Sequence, residues 1–114
     1  MTEISLLDNE LVNHFHAQAN GVNCKISDSE WEKLKSLVEK QQPDFIRFIS
    51  ASDKGLTDRE YLVAILVKLH FIPSELSLLL GVGAQQINNI RSKINSKLFG
   101  KSGAKTLDAN IWRI

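Results

Sequence analysis

Between Glu75 and Asp108 the chain contains no Asp or Glu, yet it carries Arg91, Lys93, Lys97, Lys101 and Lys105. Interleaved with them in "GVGAQQINNIRSKINSKLFG" (Gly81–Gly100) are Gln85, Gln86, Asn88, Asn89, Ser92 and Ser96. Side-chain amides donate and accept hydrogen bonds at once, which matches the N6 and N7 edge of adenine in a major groove. Hydroxyls bond to bases or to phosphates, and ammonium and guanidinium groups hold phosphates. On charge alone a solvated basic face accounts for the segment equally well. An ordinary amphipathic helix of this length carries Glu–Lys pairs, however, and their absence favours a helix shaped for a polyanion.

The angular positions sort these residues into two faces. With Ile87 as origin and about 100° per residue, Ile90, Ile94 and Leu98 fall within about 60° of it and form one apolar stripe. Ser92, Gln85, Ser96 and Asn89 lie about 140–200° away on the opposite face, with Asn88 and Lys93 flanking them. Arg91 and Lys97 sit nearer the edges of the apolar stripe, from which long side chains reach sideways. The start of the helix, near Gly83 and Ala84, points the positive end of its dipole outward.

Charge is distributed unevenly along the 114 residues. Residues 1–60 hold 11 acids and 7 bases, a net −4, while residues 61–114 hold 2 acids and 7 bases, a net +5. That asymmetry again directs a polyanion to the second half. A composition of 43% hydrophobic and 24% charged residues belongs to a globular chain and excludes intrinsic disorder. No apolar run is long enough to span a bilayer, and "MTEISLLDNE" lacks the pattern of a signal peptide. The single cysteine, Cys24, excludes an internal disulfide framework. A cytoplasmic location is the expectation.

The elements that must position this helix are helices themselves, so the expected class is all-α. Leu7, Leu11 and Phe15 at steps of four predict a first helix ending near Ala19–Gly21. "SDSE" (Ser27–Glu30) is a capping box that opens a helix with Trp31, Leu34, Leu37 and Val38 on one face. Pro43 restarts the chain in "PDFIRFI", with Phe45, Ile46, Phe48 and Ile49 to bury. A second capping box, Thr57 to Glu60, opens "YLVAILVKLHF" (Tyr61–Phe71), apolar on nearly every side and therefore central. Pro73 opens "PSELSLLLG", which Gly81 closes, and "LDANIWRI" ends the chain with Leu107, Ile111, Trp112 and Ile114.

From Leu56 to Leu98 the layout is that of a helix-turn-helix, whose last helix enters the major groove. Here the residues resemble the LuxR-type (GerE-like) DNA-binding domain: "LTDRE" (Leu56–Glu60), "SEL" (Ser74–Leu76), Leu80, Val82, Ile87, Ile94 and "KL" (Lys97–Leu98). The chain departs from that pattern at Gly83, Gln86 and Ile90, where Ser or Thr, Thr and His are usual. A longer stretch is similar to the C-terminal module of Bacteroidetes tetratricopeptide-type regulators. It comprises Trp31–Leu34, Pro43–Phe45, Phe71–Glu75, Leu79–Gly81, Ile87–Arg91 and "KLFG" (Lys97–Gly100). The resemblance implies double-stranded DNA binding in transcriptional regulation, with residues 1–55 an N-terminal helical extension and 56–114 the DNA-binding region. It assigns base reading to Asn88, Asn89 and Ser92, and backbone contacts to Gln85, Gln86, Arg91, Lys93, Lys97 and Lys101. It also makes Leu107, Ile111, Trp112 and Ile114 candidate dimer contacts; the alternative is that this tail packs back on Trp31 and Phe45. The partners it implies are DNA, a second copy of the chain, and an upstream sensor domain or RNA polymerase.

Other chemistries are weaker expectations. His14 and His16, two apart on a helix, point about 200° away from one another and cannot share a metal there. No nucleophile constellation or phosphate-cradling glycine loop is present, so neither catalysis nor a cofactor is expected. Asp53 follows no strand and is not read as a phosphoacceptor, and Trp31 reads as a core anchor. The alternative functions are a protein-interaction module of the same shape that contacts RNA polymerase, and a sigma-factor region-4-like promoter reader.

Overall fold

Seven helices, and no strand, occupy the residues described by the computed structural model, which are 10–20, 26–51 and 54–114. They are α1 (Glu10–Ala19), α2 (Asp28–Gln41), α3 (Pro43–Ser50), α4 (Asp58–Lys68), α5 (Pro73–Leu80), α6 (Ala84–Phe99) and α7 (Leu107–Trp112). Leu7, Cys24 and Asp53 lie outside the described residues.

Local chemistry sets most of the boundaries. Ser27 and Thr57 take extended backbone angles, accept the amides of Glu30 and Glu60, and have their own amides bonded by those glutamates. Both capping boxes are therefore complete. Pro43 and Pro73 stand in the first turns of α3 and α5, where no backbone donor is missed. Ile72 precedes α5 and has no side-chain acceptor, so only the reciprocal half of a box forms, from the Ile72 amide to Glu75 Oε1 at 3.0 Å. Gly81 at φ 66° and Gly100 at φ 65° close α5 and α6 in the left-handed region.

Packing is centred on α4. Six consecutive residues, Val63 to Lys68, are buried, because α2, α3, α6 and α7 all lie against this helix. Each fully buried Val, Leu or Ile there contributes roughly 1.5–3 kcal/mol relative to exposure. α5 is held between α1 and α6. The core draws Phe15 from α1, Leu34 and Val38 from α2, Phe45 and Ile49 from α3, and Leu107 and Ile111 from α7. Trp31 is half-buried and meets Phe15 edge-on at 5.0 Å, in keeping with a core anchor.

Long-range polar bonds then lock the helices together. Glu60, only 5% exposed, accepts Lys97 Nζ at 2.6 Å as well as the Thr57 amide. Glu75 accepts His16 Nδ1 at 3.0 Å and Asn20 Nδ2 at 2.8 Å on its second oxygen, tying α1 to α5, while the His16 ring stacks on Phe71 at 3.8 Å. His14 bonds instead to Glu30 at 2.7 Å, so the two histidines serve different helices.

Burial pushes the Glu60 and Glu75 carboxyls up, but the bonds they accept outweigh it and both end below the ordinary glutamate value. A folded value below the unfolded one means stabilisation that is complete above the ordinary value and is lost as pH falls from there through the folded value. The melting temperature should therefore hold from pH 7 towards 5 and drop below about 4.5. Glu60→Gln should cost roughly 1–3 kcal/mol at pH 7 and flatten that acid limb. An unchanged melting curve at every pH would show that the Lys97 bond adds nothing.

Candidate nucleic-acid interface

The apolar side of α6 is fixed first. Ile87 and Ile94 are fully buried, Leu98 nearly so, and Ile90 half-buried, which reproduces the stripe read from the angular positions. These residues face α4 and α5. The connection from α5 is held by the Val82 amide on the Ser77 carbonyl at 3.1 Å and by the Ser77 hydroxyl donating to the Val82 carbonyl. It delivers α6 with its first turn exposed at Gly83, Ala84, Gln85 and Gln86. Gly83 supplies no side-chain cap, which leaves the leading amides of α6 without a side-chain acceptor.

The outward side carries Gln85, Gln86, Asn88, Asn89, Lys93 and Ser96 exposed, with Ser92 half-buried. Gln85 Nε2 donates to Asn89 Oδ1 at 3.1 Å, one turn along the surface. Lys101, Ser102 and Lys105 continue the exposed face beyond the end of α6. Among the described residues Lys93, Lys101 and Lys105 have no ion-pair partner, so their charge is directed to solvent.

Two of the expected backbone-contacting cations are placed differently. Arg91 is only 8% exposed, and its Nη2 bonds to Asp108 Oδ1 of α7 at 2.6 Å. Lys97 bonds to Glu60 and, at 3.0 Å, to the Gly55 carbonyl. Both residues sit at the edge of the apolar stripe, where a carboxylate from a neighbouring helix is within reach. Both charges are thereby paired with carboxylates of the fold and brace α6 against its neighbours.

Of the candidate dimer contacts, Leu107 and Ile111 are fully buried within the chain, against α4 and α6. Trp112 is 42% exposed, donates its Nε1 to the Val67 carbonyl at 2.8 Å and stacks on His70. Ile114 is half-buried and its carbonyl accepts Lys68 Nζ at 2.9 Å, with that ammonium 5.6 Å from the Phe45 ring. The tail thus packs within the chain, chiefly on α4 and α6.

Sequence reasoning passed over Asn95, which is completely buried. Its Nδ2 donates to the Gly103 carbonyl at 2.9 Å and to Thr106 Oγ1 at 3.0 Å, and its Oδ1 accepts Asn110 Nδ2 at 3.0 Å. These bonds clamp the loop after α6 to the helix itself, and that loop displays Lys101 and Lys105. The signal was an angular one: Asn95 lies about 80° from Ile87, close to the apolar stripe. Asn95→Ala should destabilise the chain by about 1–3 kcal/mol in urea unfolding, because its partners lose their bonds in a dry site. Lys93→Ala should stay within about 0.5 kcal/mol. Equal losses in the two variants would mean that the network carries no stability.

No protein-family model, curated protein or solved structure matches the chain.

Proposed function

We propose that α4, α5 and α6 form a helix-turn-helix of LuxR-like type, and that the protein binds double-stranded DNA sequence-specifically in transcriptional regulation. The observation that carries this reading is the outward face of α6. It presents Gln85, Gln86, Asn88, Asn89, Ser92, Lys93 and Ser96 and not one acid. α6 is then the recognition helix, inserted in the major groove with Asn88, Asn89 and Ser92 at base edges. The uncapped first turn of α6 meets phosphate with backbone amides and the helix dipole. Lys93 and Lys101, with Gln85 and Gln86, grip the strands beside the groove.

One module of this size covers limited DNA, so paired half-sites bound by two copies suit it best. Because Leu107 and Ile111 are internal, a second copy would meet Trp112 and Ile114 at the surface. A protein-interaction module is the second reading, favoured by the exposed apolar side chains of Ile72 and Leu78 at 54% and 51%. RNA polymerase is a partner of that kind.

Titration of mixed-sequence duplex DNA at several salt concentrations separates the two. Binding should weaken with salt along a log–log slope of about −3 to −5 per protomer, with roughly 0.9 contributed by each phosphate engaged. Asn89→Ala should cost about 1–3 kcal/mol on a preferred duplex and relax preference at one base position. Lys93→Ala should weaken all duplexes alike. A folded protein with no affinity for DNA at low salt would leave the protein-interaction reading in its place.

A further inference from the structure

Beside α6 a cleft of about 360 Å³ opens between the helix and the loop that follows it, lined by Asn88, Arg91, Ser102, Gly103, Ala104 and Lys105. Two features of its Arg91 are unusual together. The residue lines the cleft although it is more than nine-tenths buried. Its Nε is a buried donor with no acceptor, the only such side-chain atom among the described residues. Buried donors left unpaired cost free energy and point to a missing acceptor, such as a water or an ion.

The rest of the wall offers what an oxyanion needs. Ser102 and Lys105 are exposed, supplying a hydroxyl and an ammonium, and Asn88 supplies an amide from the opposite side. Gly103, at φ 76°, brings the backbone past the cleft without a side chain. Asn95 holds the Gly103 carbonyl on the far side of that peptide, so the loop is presented in one position. Asp108 neutralises Arg91, and with Lys105 added the cleft carries a net single positive charge. A singly charged phosphodiester balances that better than a free phosphate dianion does.

We propose that this cleft seats one backbone phosphate of the bound duplex, with Lys105, Ser102 and Asn88 as its ligands and Arg91 as the buried cation behind them. The proposal rests on the DNA-binding reading above. It ties the base-reading face to a fixed phosphate, because Asn88 borders both, and so sets the register of α6 along the groove.

Lys105→Ala tests it on the whole chain, since Lys105 is exposed and the fold does not depend on it. Duplex binding should persist, weakened several-fold for every sequence, with the salt slope reduced by about one. In amide-resolved NMR, DNA should shift the Ser102, Gly103 and Ala104 signals of the parent protein and move them far less in Lys105→Ala. Inorganic phosphate alone should leave those signals nearly in place at millimolar concentration. Normal DNA binding by Lys105→Ala with an unchanged slope would overturn the cleft while leaving the DNA reading intact. Saturation of the same amides by inorganic phosphate, without any response to DNA, would make it a site for free anions and overturn the proposal as well. Absence of DNA binding by the parent protein would remove the reading on which the cleft depends.

Discussion

The Glu60 carboxylate stands where two requirements meet. The first turn of α4 needs an acceptor for the Thr57 amide, and α6 needs a fixed angle against α4. One buried side chain satisfies both, because its oxygen also takes the Lys97 ammonium at 2.6 Å, and Lys97 in turn holds the Gly55 carbonyl. The start of α4, the loop before it and the last turns of α6 thus share a single charged junction. Removing Lys97 would strand the Glu60 carboxylate in a poorly hydrated place, whereas Lys97 itself keeps access to water.

The same economy recurs at each capping glutamate. Glu75 caps the Ile72 amide with one oxygen and fastens His16 of α1 and Asn20 just after it with the other. Glu30 closes its own box at Ser27 and reaches His14. A glutamate three residues into a helix is already immobilised by its cap, so a second bond from it loses little further rotamer freedom. That is a physical reason for α1, α4, α5 and α6 to be pinned by residues whose first task is local.

Those first tasks are also what can be read along the chain. Both capping boxes, the prolines at helix starts, the glycine ends of α5 and α6 and the apolar stripe of α6 depend on neighbours within a few residues. The all-helical class follows from them. The second bonds do not, because their partners are far away in sequence: Lys97 lies 37 residues from Glu60, His16 59 from Glu75, and Asp108 17 from Arg91. The opposed directions of His14 and His16 were legible from helical geometry, but the carboxylates that receive them were not. Asn95 was overlooked for a related reason. An asparagine near an apolar stripe looks like a tolerated polar residue until the loop that folds over it supplies two partners and α7 a third.

Arg91 and Lys97 lie at the margin of the buried stripe, and pairing with a carboxylate of a neighbouring element is what a margin position permits. The net +5 of residues 61–114 already includes Asp108, which pairs Arg91, and Glu60 from the first half cancels one more of the bases on α6. What remains outward is Lys93, Lys101 and Lys105 around a ring of uncharged amides and hydroxyls. On the proposed DNA-binding reading, the amides and hydroxyls meet base edges and the lysines meet the flanking phosphates. The two inward salt bridges therefore do more than brace α6: they keep the Arg91 and Lys97 charges off its outward face.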